Sequence, residues 1–176
     1  RRVYTFGQML TREMALMIER GFGVRPIDLY GTTETSWVGI QCRPGGGYHV
    51  PIHRLVIQIG KIGSDLPARG SEPGELILTD LTRRTFPIIR YRIGDAAGMT
   101  DERCPCGWDT PRLVSIEGRL ADFLVATDGQ LVAPTAVGLG PFHSDGTFLD
   151  FRVTQPSATV VNFQFIPGPG FGPGTI

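Results

Sequence analysis

The chain has 176 residues, of which 41% are hydrophobic, and its 17 basic side chains balance its 17 acidic ones at neutral pH. This composition is typical of a globular protein with one core or two small ones. No apolar run approaches the roughly 20 residues that span a bilayer, and the balanced charge argues against nucleic-acid and anionic-membrane partners. The opening residues carry neither an initiating Met nor a signal-peptide pattern, so we expect a piece of a longer, cytoplasmic protein.

Glycine and proline are abundant, at 24 and 14 residues, which predicts short strands, many loops and little helix. The three cysteines are Cys42, Cys104 and Cys106. An odd number of cysteines with a one-residue gap fits a metal site better than a disulfide framework. Lys61 is the only lysine, so a catalytic amine from this chain can come from no other position.

The N-terminal part is predicted to form a helix and then a strand. Residues 8–20 carry apolar side chains at helical spacing, and the methionines among them are expected to pack in the core. Gly21 and Gly23 are expected to end the helix. The apolar run 26–30 then predicts a buried strand that ends in an exposed turn, as in one layer of an α/β fold.

The middle of the chain is predicted to form a small antiparallel sheet or a distorted barrel. Its strands are expected within 48–59, where Pro51 interrupts the pattern, and at 75–79, 87–92 and 112–116, with a glycine-rich loop at 60–74. The short lengths of the strands and the intervening glycines favour this arrangement.

The C-terminal part begins at a predicted joint, residues 118–122. Asp128 and Gly129 favour a two-residue hairpin turn, and Pro134 is expected to open a short helix. Two further strands are predicted at 149–153 and 159–165. The tail 167–176 is rich in glycine and proline, offers no core residue, and is expected to be disordered or separated from its partner.

A first candidate site is the segment Tyr30–Glu34, which gathers an aromatic ring, a glycine, two hydroxyls and a carboxylate. Such a set can hold a nucleotide base, a phosphate and a magnesium ion at the end of a strand. The alternative is an ordinary polar turn that follows a strand.

A second candidate site is metal-binding. Cys42, His49, Cys104 and Cys106 supply three thiolates and one imidazole, a complete tetrahedral set that suits structural zinc and leaves no position open for catalysis. His53 is an alternative fourth ligand. Three unrelated free cysteines are the remaining interpretation.

Four segments occur in a fixed order: YGTTE at 30–34, GELILTDL at 74–81, PIIRYRIGD at 87–95 and CPCGWDTPRLVSIEGRLAD at 104–122. Together with the loop CRPGGGYHV at 42–50, this set resembles phenylacetate–CoA ligase-like proteins of the adenylate-forming superfamily. The resemblance implies an α+β fold: residues 1–118 would be the C-terminal part of a large adenylation domain, an α/β layer plus a small antiparallel β-barrel or sheet. Residues 119–176 would be the hinge and the start of a small α+β C-terminal domain.

The resemblance also implies an ATP-dependent acid–thiol ligase. A carboxylic acid, expected to be an aryl acid, would form acyl-AMP and pyrophosphate, and coenzyme A would then displace AMP. By position, Tyr30 resembles the residue that packs on adenine, and Gly31 belongs to the same nucleotide-binding motif. Thr33 resembles the residue that binds the α-phosphate, and Glu34 resembles the residue that binds magnesium. Asp95 resembles the residue that binds the ribose, and Arg119 resembles the arginine at the domain boundary. The implied cofactors are ATP or AMP, Mg²⁺, coenzyme A and structural Zn²⁺. The implied partners are small molecules, with a homodimer as the assembly considered.

The sequence also departs from the family pattern. The glycine- and hydroxyl-rich phosphate loop is absent and is expected to lie before residue 1, no lysine follows Lys61, and Ala121 stands where an acidic hinge residue is usual. This piece alone is therefore expected to be inactive. The alternatives are a non-catalytic, zinc-stabilised, degenerate AMP-binding module, and an adenylating enzyme with an acceptor other than coenzyme A. Tyr30 as ordinary packing and Asp95 as a turn residue are the corresponding alternatives for the site, and Arg90 and Arg92 are interpreted as a solvated face.

Overall fold

The computed structural model describes residues 1–68, 70–137, 146–172 and 174. In chain order the elements are β1 (Tyr4–Phe6), α1 (Arg12–Phe22), β2 (Ile27–Thr32), β3 (Ser36–Gln41), β4 (Tyr48–His49), β5 (Leu55–Gly60), β6 (Gly74–Asp80), β7 (Tyr91–Thr100), β8 (Arg112–Arg119), β9 (Leu124–Val125), β10 (Leu131–Val132), β11 (Phe148–Ser157) and β12 (Val160–Pro167). Two short 3-10 helices, Leu120–Asp122 and Pro134–Val137, flank β9 and β10.

The first eight strands form one sheet in the order β1-β2-β3-β4-β8-β7-β6-β5. β1 and β2 are parallel, and the other neighbouring strands are antiparallel. Because β1 and β5 lie at opposite ends of this order, the sheet is open. The α+β fold and the antiparallel sheet are thus confirmed, and the distorted barrel offered as the alternative does not close. β9 with β10 and β11 with β12 form two separate two-stranded sheets.

The core lies among the middle strands of the large sheet. Val38, Leu55, Leu76, Leu78 and Leu113 are almost completely buried there. Each such side chain stabilises the fold by roughly 1.5–3 kcal/mol relative to an exposed position. These residues come from four different strands, so the core fixes the relative placement of β3, β5, β6 and β8.

Helix α1 begins after Thr11, whose side chain accepts a hydrogen bond from the Met14 N–H, and ends at Gly23 in the left-handed conformation. Gly21 lies inside the helix, so the prediction that it would end the helix is wrong. The expected core packing of the methionines is wrong for Met9 and Met17, which are 50% and 65% exposed, whereas Met14 is half-buried. No helix in the described part of the chain combines the length and hydropathy that crossing a bilayer requires.

Two strand boundaries differ from the prediction. β2 continues through Thr32, so Tyr30, Gly31 and Thr32 belong to the strand, and the turn begins only at Thr33. The strand expected at 87–92 instead begins at Tyr91 and continues to Thr100. Arg90 explains this late start, because its φ of 49° lies in the left-handed region, which interrupts an extended strand.

Two predictions near the C-terminus also change. The hairpin of β9 and β10 closes with three loop residues, because the Ala126 N–H donates to the Gln130 carbonyl, and Gly129 supplies the left-handed position. The prediction that the tail has no core contact is wrong, because the ring of Phe171 lies 6.2 Å from that of the buried Phe148, between ring centroids. Residues 138–145, 173, 175 and 176 lie outside the described residues.

Candidate functional site

Tyr30, Asp95 and Arg119 come together where β2, β7 and β8 approach one another. The Tyr30 hydroxyl donates to Asp95 Oδ2 at 2.5 Å, and Arg119 Nε lies 3.0 Å from Asp95 Oδ1. Asp95 is buried, whereas the Arg119 side chain is 64% exposed. Asp95 and Arg119 are also direct partners in the register of β7 and β8. Two strands remote in sequence from β2 therefore complete one polar cluster.

A second polar network lies beside Tyr30 on the same sheet. Its ring packs edge-on against Tyr48, with centroids 6.4 Å apart, and the Tyr48 hydroxyl donates to Asp28 at 2.7 Å. Burial, and then the hydrogen bond to Asp95, raise the pKa of Tyr30 well above its usual value. Tyr30 therefore stays a neutral hydrogen-bond donor to Asp95 throughout the physiological range.

Gly31 is required by close packing. A Cβ at this position would lie 2.4 Å from the Ser36 carbonyl oxygen and 2.7 Å from the Phe6 ring. The bulge between Tyr30 and Gly31 brings these backbones together. Gly31 thus serves the turn of β2 and β3 through its lack of a side chain.

The turn between β2 and β3 carries Thr33 and Glu34, both exposed. Thr32 and Thr35 close it from below, with their hydroxyl oxygens 3.0 Å apart and the Thr35 N–H donating to Thr32 Oγ1. Glu34 accepts a hydrogen bond from the Tyr91 hydroxyl at 3.2 Å. Its own backbone N–H, the Thr32 hydroxyl and Tyr91 hold the pKa of Glu34 below its usual value. Glu34 is therefore an exposed, ionised carboxylate that faces β7.

Three residues near this turn were missed at the level of sequence. Arg54 donates to the Thr35 and Trp37 carbonyls. Asp28 and Tyr48 form the network beside Tyr30. Because each of these contacts joins residues remote in sequence, no local pattern signals them.

The four predicted metal ligands come together at the ends of β3, β4 and β8. Their ligand atoms all lie within 4.8 Å of one another. Cys42 Sγ is 3.5 Å from Cys104 Sγ, and His49 Nε2 is 3.2 Å from Cys106 Sγ. Ligands about 2.0–2.3 Å from a tetrahedral zinc are separated by roughly 3.3–3.8 Å, and these two separations lie close to that range. His53 is exposed and is not a member of this cluster.

Neighbouring residues orient the ligand atoms of the cluster and leave space around them. Thr110 Oγ1 lies 2.8 Å from His49 Nδ1, which leaves Nε2 directed at the sulfurs. A Cβ on Gly45 would lie 2.2 Å from Cys104 Sγ, so only glycine fits beside that sulfur. The Gly45 and Trp108 N–H groups approach Cys42 and Cys106 at 3.4 Å.

The protonation tendencies of the cluster also bear on metal binding. Burial lowers the pKa of His49 and keeps the imidazole neutral, with a lone pair available. Burial raises the pKa of Cys42 to about 11. For Cys104 burial acts in the same direction, but hydrogen bonds from the Cys106 N–H and the neighbouring thiols lower its pKa.

Arg90 and Arg92 remain outside these clusters. Arg90 donates to Gln58 at 2.6 Å, while Arg92 pairs with Asp65 at 2.6 Å and with Glu75. The exposure of these contacts agrees with a solvated face.

Comparison with known proteins identifies relatives of this chain. No protein-family model matches it. Phenylacetate-coenzyme A ligases match it from Thermus thermophilus (29% identical over 130 residues, 72% of this chain), Escherichia coli (30% over 128, 70%) and Aromatoleum evansii (31% over 132, 72%). The match spans 29% of the length of each relative.

Solved structures give the same fold. 2-Hydroxyisobutyryl-CoA ligase in the postadenylation state, in complex with 2-HIB-AMP, has a TM-score of 0.74 at 20% identity. The match covers 94% of this chain and 37% of the ligase chain. The anthranilate CoA ligase AuaEII, in complex with anthranoyl-AMP, has a TM-score of 0.65 at 16% identity and covers 98% and 35%. The sequence relatives and the shared fold agree. The chain is therefore similar, over 70–72% of its length, to part of the phenylacetate-coenzyme A ligases, and it shares its fold with solved CoA ligases.

Proposed function

We propose that the intact protein is an ATP-dependent acid–CoA ligase that acts on an aryl carboxylic acid. The acid's carboxylate oxygen attacks the α-phosphorus of ATP and pyrophosphate leaves; the coenzyme A thiolate then attacks the acyl carbon and AMP leaves. The observation that carries the proposal is the convergence of Tyr30, Asp95 and Arg119 beside the turn that bears Thr33 and Glu34. A degenerate module is the less favoured alternative, because Tyr30, Asp95 and Arg119 are all present and in direct contact.

Asp95 is assigned to the ribose of the nucleotide. Its Oδ1 is buried and accepts no hydrogen bond in the described residues, although Arg119 Nε lies close to it. A carboxylate oxygen with spare accepting capacity suits a ribose hydroxyl donor. Tyr30, held by Asp95 and Tyr48, is assigned to adenine packing, and Gly31 allows the turn to approach the nucleotide.

Thr33 and Glu34 are assigned to the α-phosphate and to magnesium. Both are exposed on the turn, and Glu34 is kept ionised, which suits a hard cation shared with phosphate oxygens. Magnesium, when bound, would neutralise charge on the phosphates. The chain's own contribution is placement: catalysis of phosphoryl-group displacement depends mainly on positioning and charge stabilisation. Arg119 is assigned to the ribose or phosphate at the domain boundary.

Cys42, His49, Cys104 and Cys106 are assigned to structural Zn²⁺. Their spacing, the buried Cys42 and Cys104, the neutral imidazole and the space beside Gly45 all fit this ion. Four protein ligands leave no open coordination position, so the proposed role is to hold two loops together.

Residues 1–118 are assigned to the adenylation domain and residues 119–176 to the hinge and the beginning of the small domain. The support is topological: the large sheet ends with Arg119, and the later strands form sheets of their own. A cytoplasmic location is proposed with this activity, because three free cysteines suit a reducing compartment.

The test is pyrophosphate exchange into ATP by the full-length protein that contains this chain. With a panel of aryl acids we expect acid-dependent exchange, followed by thioester formation when coenzyme A is added. Asp95→Asn should raise KM for ATP by about 10-fold, since it weakens a charge-assisted hydrogen bond to ribose. The absence of exchange with every acid tested would contradict the proposal.

A further inference from the structure

Arg54 precedes β5 in the chain, yet its side chain reaches the turn between β2 and β3. Nη1 donates to the Thr35 carbonyl at 2.6 Å, and Nη2 donates to the Trp37 carbonyl. The guanidinium carbon also lies 5.3 Å from the centroid of the Trp37 ring. One side chain thus binds the same turn through two carbonyls and an aromatic face.

The residue between those two carbonyls, Ser36, is strained. Its φ is 61°, a left-handed conformation that glycine adopts readily. For any other residue type this conformation costs roughly 1–2 kcal/mol. A three-residue hairpin loop commonly has glycine at such a position. Arg54 therefore binds the turn on both sides of its strained residue, where a bidentate donor can hold the backbone in this shape.

Arg54 is itself held from the opposite side. Asp80 Oδ2 lies 3.6 Å from Nη1, and both groups are largely buried, with 17% and 2% of their side chains exposed. Asp80 is fixed in turn by Thr82, whose N–H and hydroxyl donate to Oδ1 at 2.9 and 2.7 Å. The Arg54 carbonyl accepts a hydrogen bond from the Leu81 N–H at 2.9 Å. The end of β6 is therefore a rigid support for the guanidinium.

From this geometry we propose that Arg54, supported by Asp80, is a positioning residue that holds Thr33 and Glu34 in their working arrangement. The inference rests on the function proposed above, because it assigns those two residues to the phosphate and to magnesium. Arg54 acts through the backbone of the turn and touches neither ATP nor the acid. It governs the chemical step more than ATP binding, since Tyr30 and Asp95 lie outside its contacts.

The test is Arg54→Gln in the full-length protein, measured by pyrophosphate exchange. We expect kcat to fall by about 10- to 100-fold, because small displacements of positioned groups carry penalties of this size. KM for ATP should change less than about 3-fold, because the adenosine contacts are kept. Arg54→Lys should be intermediate at best, since an ammonium lacks the planar fork that reaches two carbonyls.

A second variant separates positioning from general stability. Asn tolerates the left-handed region better than Ser, so adding Ser36→Asn to Arg54→Gln should recover several-fold in kcat. The matched control is Arg92→Gln, which removes an arginine paired with two carboxylates elsewhere on the sheet, and whose kcat should stay within about 2-fold of wild type.

Unchanged kcat in Arg54→Gln would overturn the inference. So would a parallel loss of kcat, ATP binding and thermal stability that Ser36→Asn does not relieve. If the wild-type protein shows no pyrophosphate exchange, the proposed function fails. Amide hydrogen exchange then tests separately whether Arg54 stabilises the backbone of the turn. Arg54→Gln should speed exchange at Thr35, Ser36 and Trp37, and unchanged protection there would refute it.

Discussion

At the scale of single residues, Asp80 is a buried carboxylate that several donors keep ionised. Burial opposes the charge, but hydrogen bonds from Thr82 and the positive charge of Arg54 outweigh it and lower the pKa of Asp80 below its usual 3.8. A lowered pKa in the folded state means that ionised Asp80 stabilises the fold above about pH 4. That contribution is lost as the pH falls through the folded-state value.

This sign leads to a prediction for Asp80→Asn. The variant should be less stable than wild type at pH 7. The difference in the free energy of unfolding should begin to shrink below about pH 4, where Asp80 of the unfolded chain takes up a proton, and should vanish as the pH falls through the lower folded-state pKa. Urea unfolding at a series of pH values measures both curves. A difference that is independent of pH would show that the charge of Asp80 is not what stabilises the fold.

The residues Tyr30, Asp95 and Arg54 show how far sequence reasoning reached. Tyr30 was singled out by the polar side chains that follow a predicted strand, and Asp95 by the family motif around it; the structure adds the hydrogen bond between them. Arg54 has no such motif. Its partners are backbone carbonyls of another hairpin. Because every residue type has a backbone carbonyl, the sequence does not reveal such partners.

At the scale of elements, α1 illustrates the same division. Helical spacing correctly predicted a helix, but not its last residues, because glycine only lowers helix propensity, whereas a left-handed φ ends the helix. Gly21 is helical with open space around it, while Gly23 has a φ of 69° and donates its N–H to the Glu19 carbonyl. Strands β6 and β8 were found from their apolar pattern. The start of β7 was not, because the left-handed φ of Arg90 depends on tertiary contacts.

Replacement of Gly21 and of Gly23 by alanine should change the free energy of unfolding in opposite directions. Gly21→Ala should raise the free energy of unfolding by about 0.5–1 kcal/mol, because alanine is the better helix former and meets no neighbour. Gly23→Ala should lower it by about 1 kcal/mol, because a Cβ is strained at that φ. Urea unfolding of the two variants measures both effects, each serving as the control for the other. Equal effects of the same sign would contradict this account of the cap.

At the scale of the whole molecule, the large sheet narrows at β4. Among the described strands, this two-residue strand alone connects β1–β3 with β5–β8 in the hydrogen-bonded order. The cysteine–histidine cluster lies at this narrow point: Cys42 follows β3, His49 belongs to β4, and Cys104 and Cys106 precede β8. Tyr30 and Asp95 lie on opposite sides of it, on β2 and β7. A metal at the cluster would therefore help to keep the two halves of the proposed nucleotide site in register.

Removal of metal is consequently expected to affect both stability and nucleotide binding. Elemental analysis should find about one zinc per chain, and a strong chelator should lower Tm and raise KM for ATP together. Cys104→Ser should lose the metal, and so should Gly45→Ala, which keeps all four ligands but places a Cβ where Cys104 Sγ lies. His53→Ala is the control, because His53 is exposed outside the cluster and its loss should leave the zinc content unchanged. A metal-free protein of undiminished stability would refute the role assigned to the cluster, since the four donors within 4.8 Å of one another would then not need an ion to hold the sheet together.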